Sequence, residues 1–147
     1  EIQTAIDLAH KYGIKVMGFF MVGNPGETLE SINDSVQFAK ELDLDFVQFS
    51  RTIAKPGTQL ANELAKKTGR AYWQEFVRGD VGEERIPTPW TDLTHEEQEK
   101  QTKLAYYKFY FRPGFVLKTI YRSRSLWEVW RYVRVGMKML GNYFNRD

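Results

Sequence analysis

"GFFMVGNPGETLESINDSVQFAKELDLDFVQFS", Gly18 to Ser50, sets two apolar, β-rich runs on either side of a glycine-rich corner and a helical pattern. The first run reaches back to Ile14, so Ile14–Val22 reads as a strand. Its almost unbroken apolar character is that of a strand covered on both faces. Thr28 is placed to cap a helix in which Leu29, Ile32, Val36, Ala39 and Leu42 recur at helical spacing. Phe46–Phe49 follows as a second strand. Two strands joined by one helix over so short a span predict a βαβ unit, with parallel strands and a right-handed crossover.

Outward from this unit, Ile2, Ala5, Ile6 and Ala9 mark a preceding helix that Gly13 can end. "KPGT", Lys55 to Thr58, turns into another helix that stops near Gly69. "RIPTPW", Arg85 to Trp90, is held extended by its two prolines and reads as a linker. Thr94 with Glu97 is a capping-box pattern, and the helix it opens must break near Arg112–Gly114 because Pro113 lacks the required N–H. Ser125 with Glu128 repeats the box, and Leu126, Trp130, Val133, Met137, Leu140 and Phe144 then share one face. The expected organisation is α/β over residues 1–70, a linker over 71–93, and a basic, aromatic helical extension over 94–147.

With 147 residues, the chain is long enough for one ordinary hydrophobic core. It has no cysteine, which excludes disulfides, thiolate-bound zinc, iron–sulfur ligation and a cysteine nucleophile within it. His10 and His95 are its only histidines, so no metal site and no catalytic residue is assigned. No apolar run has the length of a bilayer span and no signal peptide is visible. Glu1 falls inside a helical pattern, and the expectation is a piece of a longer protein. From Lys108 onward there are nine Lys or Arg against two Asp or Glu, a local charge of +7, whereas the preceding 107 residues carry a local −5. Such a split suits a basic end facing an anionic partner, although a solvated helical face also accounts for it.

The corner Gly23-Asn24-Pro25-Gly26 joins a strand to a helix N-terminus, where backbone N–H groups and small residues commonly receive ligands. It lacks the Lys and Ser/Thr of a phosphate-binding P-loop, and it lacks the dinucleotide pattern G-x-G-x-x-G. On chemistry alone it is either a ligand loop or a plain turn.

The wider pattern adds to this. The run from Ala5 to Ser50, with "YGIKV" and "FFMVGNPGET" and followed by "PGTQL" at Pro56–Leu60, closely resembles the C-terminal part of the radical S-adenosylmethionine (SAM) barrel. It is most similar to the group that carries a cobalamin-binding domain, which contains the anaerobic magnesium-protoporphyrin ester cyclase and the hopanoid-modifying enzymes. The resemblance spans Glu1 to about Gly69 and continues more loosely through "AYYKFYFRPGFV". It implies an α/β fold made of the last strands and helices of a partial (β/α) barrel, followed by a helical extension. It further implies that Met21 touches the adenine of SAM, with Gly23, Asn24, Pro25, Gly26 and Glu27 forming the adjoining loop. Glu27 stands one place later than in the commonest form of that motif and can equally accept backbone N–H groups at the helix start. Val47 to Thr52 resembles the sixth strand, whose end lies beside the adenine, which implies Ser50 and Thr52 as contacts. Gln48, Ser50 and Thr52 alternate with Val47, Phe49 and Arg51, and the sequence leaves open which set points into the barrel. The implied cofactors are SAM and a 4Fe–4S cluster, with cobalamin left open, and the implied substrate is an apolar small molecule. The cluster's C-x-x-x-C-x-x-C segment is absent, so the chain is expected to contribute the adenine side of the site and substrate closure, and to be inactive alone. Its partner would be the N-terminal part of the same enzyme.

In "KFYFRPGFVLKTIYRSRSLWEVWRYVRVG" aromatic residues alternate with Arg and Lys. They can pack on the rest of the protein. Alternatively, Trp127, Trp130, Arg131, Arg134 and Lys138 can contact a membrane or acidic surface. Nucleic acid ranks last, since no known module is visible. The location implied is cytoplasmic, with peripheral attachment to the inner face of the membrane as an option. The reading that competes with an enzyme fragment is a non-catalytic membrane- or partner-binding module derived from a barrel piece. Anaerobic reconstitution of this chain with iron and sulfide is expected to give no stoichiometric thiolate-to-iron absorption, and a stable cluster would overturn the assignment of roles.

Overall fold

A computed structural model describes residues 1–82, 85–123, 125, 127, 129–131, 133–134 and 137. The order of elements is α1 (Ile2–Lys11), β1 (Met17–Val22), α2 (Leu29–Glu41), β2 (Phe46–Arg51), α3 (Gln59–Thr68), α4 (Tyr72–Arg78), α5 (His95–Tyr110) and α6 (Pro113–Arg122). β1 and β2 are adjacent and parallel, with Met17 opposite Phe46 and Met21 opposite Ser50. The βαβ unit expected from the sequence is therefore present, and the fold is α/β about a two-stranded parallel sheet. Thr28 caps α2, its hydroxyl accepting from the Ser31 N–H while the Ser31 hydroxyl accepts from the Thr28 N–H. Glu97 closes the equivalent box with Thr94 on α5, and those bonds hold its carboxyl below the usual carboxylate range. α5 ends at Tyr110 and α6 begins at Pro113, the break that the proline requires.

Among the described residues the sheet is covered on one face only, which differs from the expectation for the first strand. Phe20 and Val22 of β1 share one face with Val47 and Phe49 of β2. That face packs with Ile6 of α1, Val36 and Ala39 of α2, and Ala105 and Phe109 of α5. The other face presents Met17, Phe19 and Met21 beside Gln48 and Ser50, all of them exposed, Phe19 at 71%. Alternate residues of a strand point to opposite sides. Both sides of β1 are apolar here, so the sequence run alone does not reveal which side is covered. The strand also starts later than expected, at Met17, because the Val16 N–H is taken by the Asp45 carboxylate and the Val16 carbonyl accepts from Asp45 and Phe46.

The outer edge of β2 is closed by α5. The Tyr106 hydroxyl accepts from the Phe49 N–H and donates to the Phe49 carbonyl, both at 3.0 Å. Tyr110 does the same for Val47, at 3.0 and 2.9 Å. These are the backbone groups that a further strand on that side would need, since Phe46 and Thr52 turn theirs toward β1. An additional strand can pair only along β1.

The segment expected as a linker carries α4 and packs Tyr72, Trp73, Val81, Ile86 and Trp90 around Ala54 and the α3 residue Leu64. The Trp73 indole N–H donates to the Ala54 carbonyl.

Burial raises the Tyr110 pKa above its ordinary value. The folded state thus favours the neutral phenol, and its contribution to stability is complete below the unfolded-state pKa of about 10. It is lost as pH rises through the raised folded-state value. Urea unfolding as a function of pH should show this alkaline decline, and Tyr110→Phe should flatten it. At neutral pH Tyr106→Phe, which strands the Phe49 backbone groups, should lower the unfolding free energy by about 1–3 kcal/mol.

Candidate functional site: the glycine corner and the open sheet face

The C-terminal ends of β1 and β2 lie side by side, and the corner Gly23–Gly26 leaves from the first of them. Gly23 has φ +87°, a conformation that side chains other than hydrogen resist. A Cβ placed there would sit 2.6 Å from Gln98 Oε1. Gly23 is therefore required both by its backbone angle and by its neighbour on α5.

The corner satisfies its own backbone. One carboxylate oxygen of Glu27 accepts from the N–H groups of Gly23 and Asn24, the latter at 3.1 Å. The Glu27 N–H donates to the Asn24 carbonyl at 3.0 Å, and the Gly26 N–H donates to the Trp90 carbonyl at 3.1 Å. Pro25 has no N–H. The loop thus offers no unpaired N–H cradle of the kind a phosphate needs. Glu27, read from sequence as a cofactor contact or a helix-start acceptor, here organises the turn that precedes the helix.

Thr52 is 5% exposed and locks the two strand ends together, its hydroxyl donating to Asn24 Oδ1 at 2.9 Å and its N–H to the Val22 carbonyl at 2.8 Å. Its side chain is spent on that lock. Met21 and Ser50 are different. They are register partners on the open face, both exposed, directly before the corner. Among the residues assigned from sequence, the structure brings Met21, Ser50, Asn24 and Thr52 to one end of the sheet. Trp127, Trp130, Arg131 and Arg134 fall on the C-terminal helical residues, and Lys138 falls outside the described residues.

Several residues behind the corner carry no motif. The Trp90 indole N–H donates to the Gly23 carbonyl at 2.9 Å. Gln98 is fully buried, and its amide nitrogen donates to the Thr88 hydroxyl and the Leu93 carbonyl. Its Oε1 has no hydrogen-bond partner among the described residues. His95 Nε2 lies 2.8 Å from the Ile86 carbonyl, which can only accept, so the ring donates there and Nδ1 accepts from Arg51 at 3.0 Å. A cavity of about 10 Å³, room for roughly one water, is lined by Arg51, Thr52, Thr88, His95 and Gln98 among others. Only the helical phase of Gln98 and Tyr106 on α5 hinted at a buried role, because "PTPW" and "HEEQ" contain no recognisable binding pattern.

The open face places an apolar thioether and an aromatic ring beside a hydroxyl and an amide. That combination suits a flat, partly polar ring such as adenine. Thiolates for an iron–sulfur cluster do not come from this chain, which has no cysteine, and no group of three or more His, Cys, Asp or Glu among the described residues is arranged to hold a metal ion.

No protein-family model matches the chain. It is similar to an uncharacterized methyltransferase of Pyrococcus horikoshii, 34% identical over 129 residues, which cover 82% of this chain and 26% of that protein. The chain thus spans about a quarter of the length of the relative it matches.

Gly23→Ala should cost about 2–4 kcal/mol, from the positive φ and the collision with Gln98 together. Denaturant midpoints would check this. Gly23→Ala combined with Gln98→Ala should recover the collision part but not the conformational part.

Proposed function

We propose that this chain forms the adenine side of the SAM site in a radical SAM enzyme, residues 1–70 supplying the last strands of the barrel and residues 94–147 a helical extension. Met21, with Phe19 beside it, would lie against the adenine ring. Ser50 and Asn24 would meet its polar edge or the ribose, and Gly23, Pro25, Gly26 and Glu27 would keep the corner in shape. Thr52 would act through Asn24 and not by direct contact. SAM would supply the methyl or adenosyl unit of the reaction. The residues of this chain bind and orient it and exclude water from one side. Cluster thiolates would come from outside this sequence, and the proposal assigns neither cobalamin ligands nor catalytic residues to it. An apolar substrate and a cytoplasmic setting belong to the same reading.

The observation that carries the proposal is the pairing of Met21 with Ser50 on the uncovered face, at the C-terminal ends of two parallel strands. Parallel α/β sheets receive ligands at that end. The similarity to a methyltransferase-named protein supports a SAM-related enzyme. The four methionines make a direct test practical. Met17 shares the open face with Met21 but stands at the opposite end of β1, so it is an internal control. In spectra of methyl-labelled methionine, titration with SAM should shift Met21 and leave Met17 in place. Met21→Ala should weaken the remaining binding, read at the Ser50 amide, by about tenfold. An unmoved Met21, or equal shifts at Met17 and Met21, would sink the reading.

A further inference from the structure

We infer that α6 and the helical residues after it form a peripheral docking face for an anionic lipid bilayer. The inference is independent of the SAM reading. α6 is held to the body by one side. Phe115 packs on Phe109 and Tyr110, with ring centroids 5.1 and 5.3 Å apart. Arg112 lies over the Phe109 ring and donates to the Lys40 carbonyl, and Lys118 pairs with Asp43. The opposite side carries Val116, Leu117, Ile120 and Tyr121, at i, i+1, i+4 and i+5, and Tyr121 is 92% exposed. Beyond α6 the pattern recurs. Trp127, Trp130, Val133 and Met137 are helical and each more than half exposed. The Arg131 guanidinium sits 5.7 Å from the Trp127 ring and that of Arg134 5.5 Å from Trp130.

Charge and side-chain type together select the occupant. The segment from Lys108 carries a local +7, so a second copy of the same face would be repelled. Nucleic acid would use the aromatic rings for stacking, but Trp127 and Trp130 each already bear a guanidinium, and Leu117, Ile120, Val133 and Met137 give a base nothing to stack on. Aliphatic side chains flanked by tryptophans and arginines match acyl chains below and acidic headgroups above. No described helix is long and apolar enough to cross a membrane, so the contact is attachment along the surface.

The test is flotation of the full chain with vesicles of phosphatidylcholine alone, and of phosphatidylcholine with phosphatidylserine, at low and high salt. Binding should favour the acidic vesicles and weaken as salt rises. Arg131→Gln and Arg134→Gln should each reduce partition about fivefold, whereas Lys66→Gln on α3 should leave it unchanged. Leu117→Ser with Ile120→Ser should reduce binding with the salt dependence retained. These residues are exposed, so circular dichroism should show each variant folded. Four results would overturn the inference: no binding to acidic vesicles at low salt, equal binding to both vesicle types, loss on Lys66→Gln equal to that on Arg134→Gln, or self-association that removes the chain from vesicles.

Discussion

Two tyrosine hydroxyls on α5 each hold both backbone groups of one residue on the outer edge of β2. Tyr106 holds those of Phe49, and Tyr110 those of Val47. A two-stranded sheet by itself is marginal, and an open edge invites further pairing. Here the edge is satisfied by side chains one helical turn apart, which fixes α5 across the strand and brings Ala105 and Phe109 onto the core face. The other face is then left uncovered, and it is the face that carries Met21 and Ser50. Edge closure and site exposure follow from the same placement of one helix.

The same helix supports the corner. Its first turn begins at the Thr94 cap and sets Gln98 directly behind Gly23, while the segment leading into it brings the Trp90 indole to the Gly23 carbonyl. With Glu27 closing the loop from inside, the corner is determined from three directions. The polar groups free to meet another molecule at this end of the sheet are therefore side chains on the strands, because the main-chain donors of the loop are engaged. A rigid corner beside an open, mixed apolar and polar face is a suitable way to hold a flat group in one orientation.

Beyond α5 the construction changes. α6 touches the body through Phe115, Arg112 and Lys118 and turns its remaining apolar residues outward. Contact with the body uses one stripe of the helix, and the second stripe is in surplus of what the core needs. Apolar surplus combined with concentrated positive charge separates this end of the chain from the acidic α/β part, both in composition and in what each surface can meet.

The sequence by itself determined the βαβ order, the caps at Thr28 and Thr94, the break at Pro113 and the absence of thiolates. Each of these depends on residue type or on neighbours within about one helical turn, and local periodicity and hydrogen bonding record such relations directly. Only the tertiary structure decided which face of β1 is covered, that Glu27 consumes the loop's N–H groups, and that Thr52 serves Asn24. It alone decided that Trp90, Gln98, Tyr106 and Tyr110 meet the strands at all. The tyrosine and tryptophan contacts join residues 57, 63 and 67 positions apart. At such separations a side chain's partner is set by how whole elements pack, and an apolar run that suits either face of a sheet leaves that packing undetermined until the helices are in place.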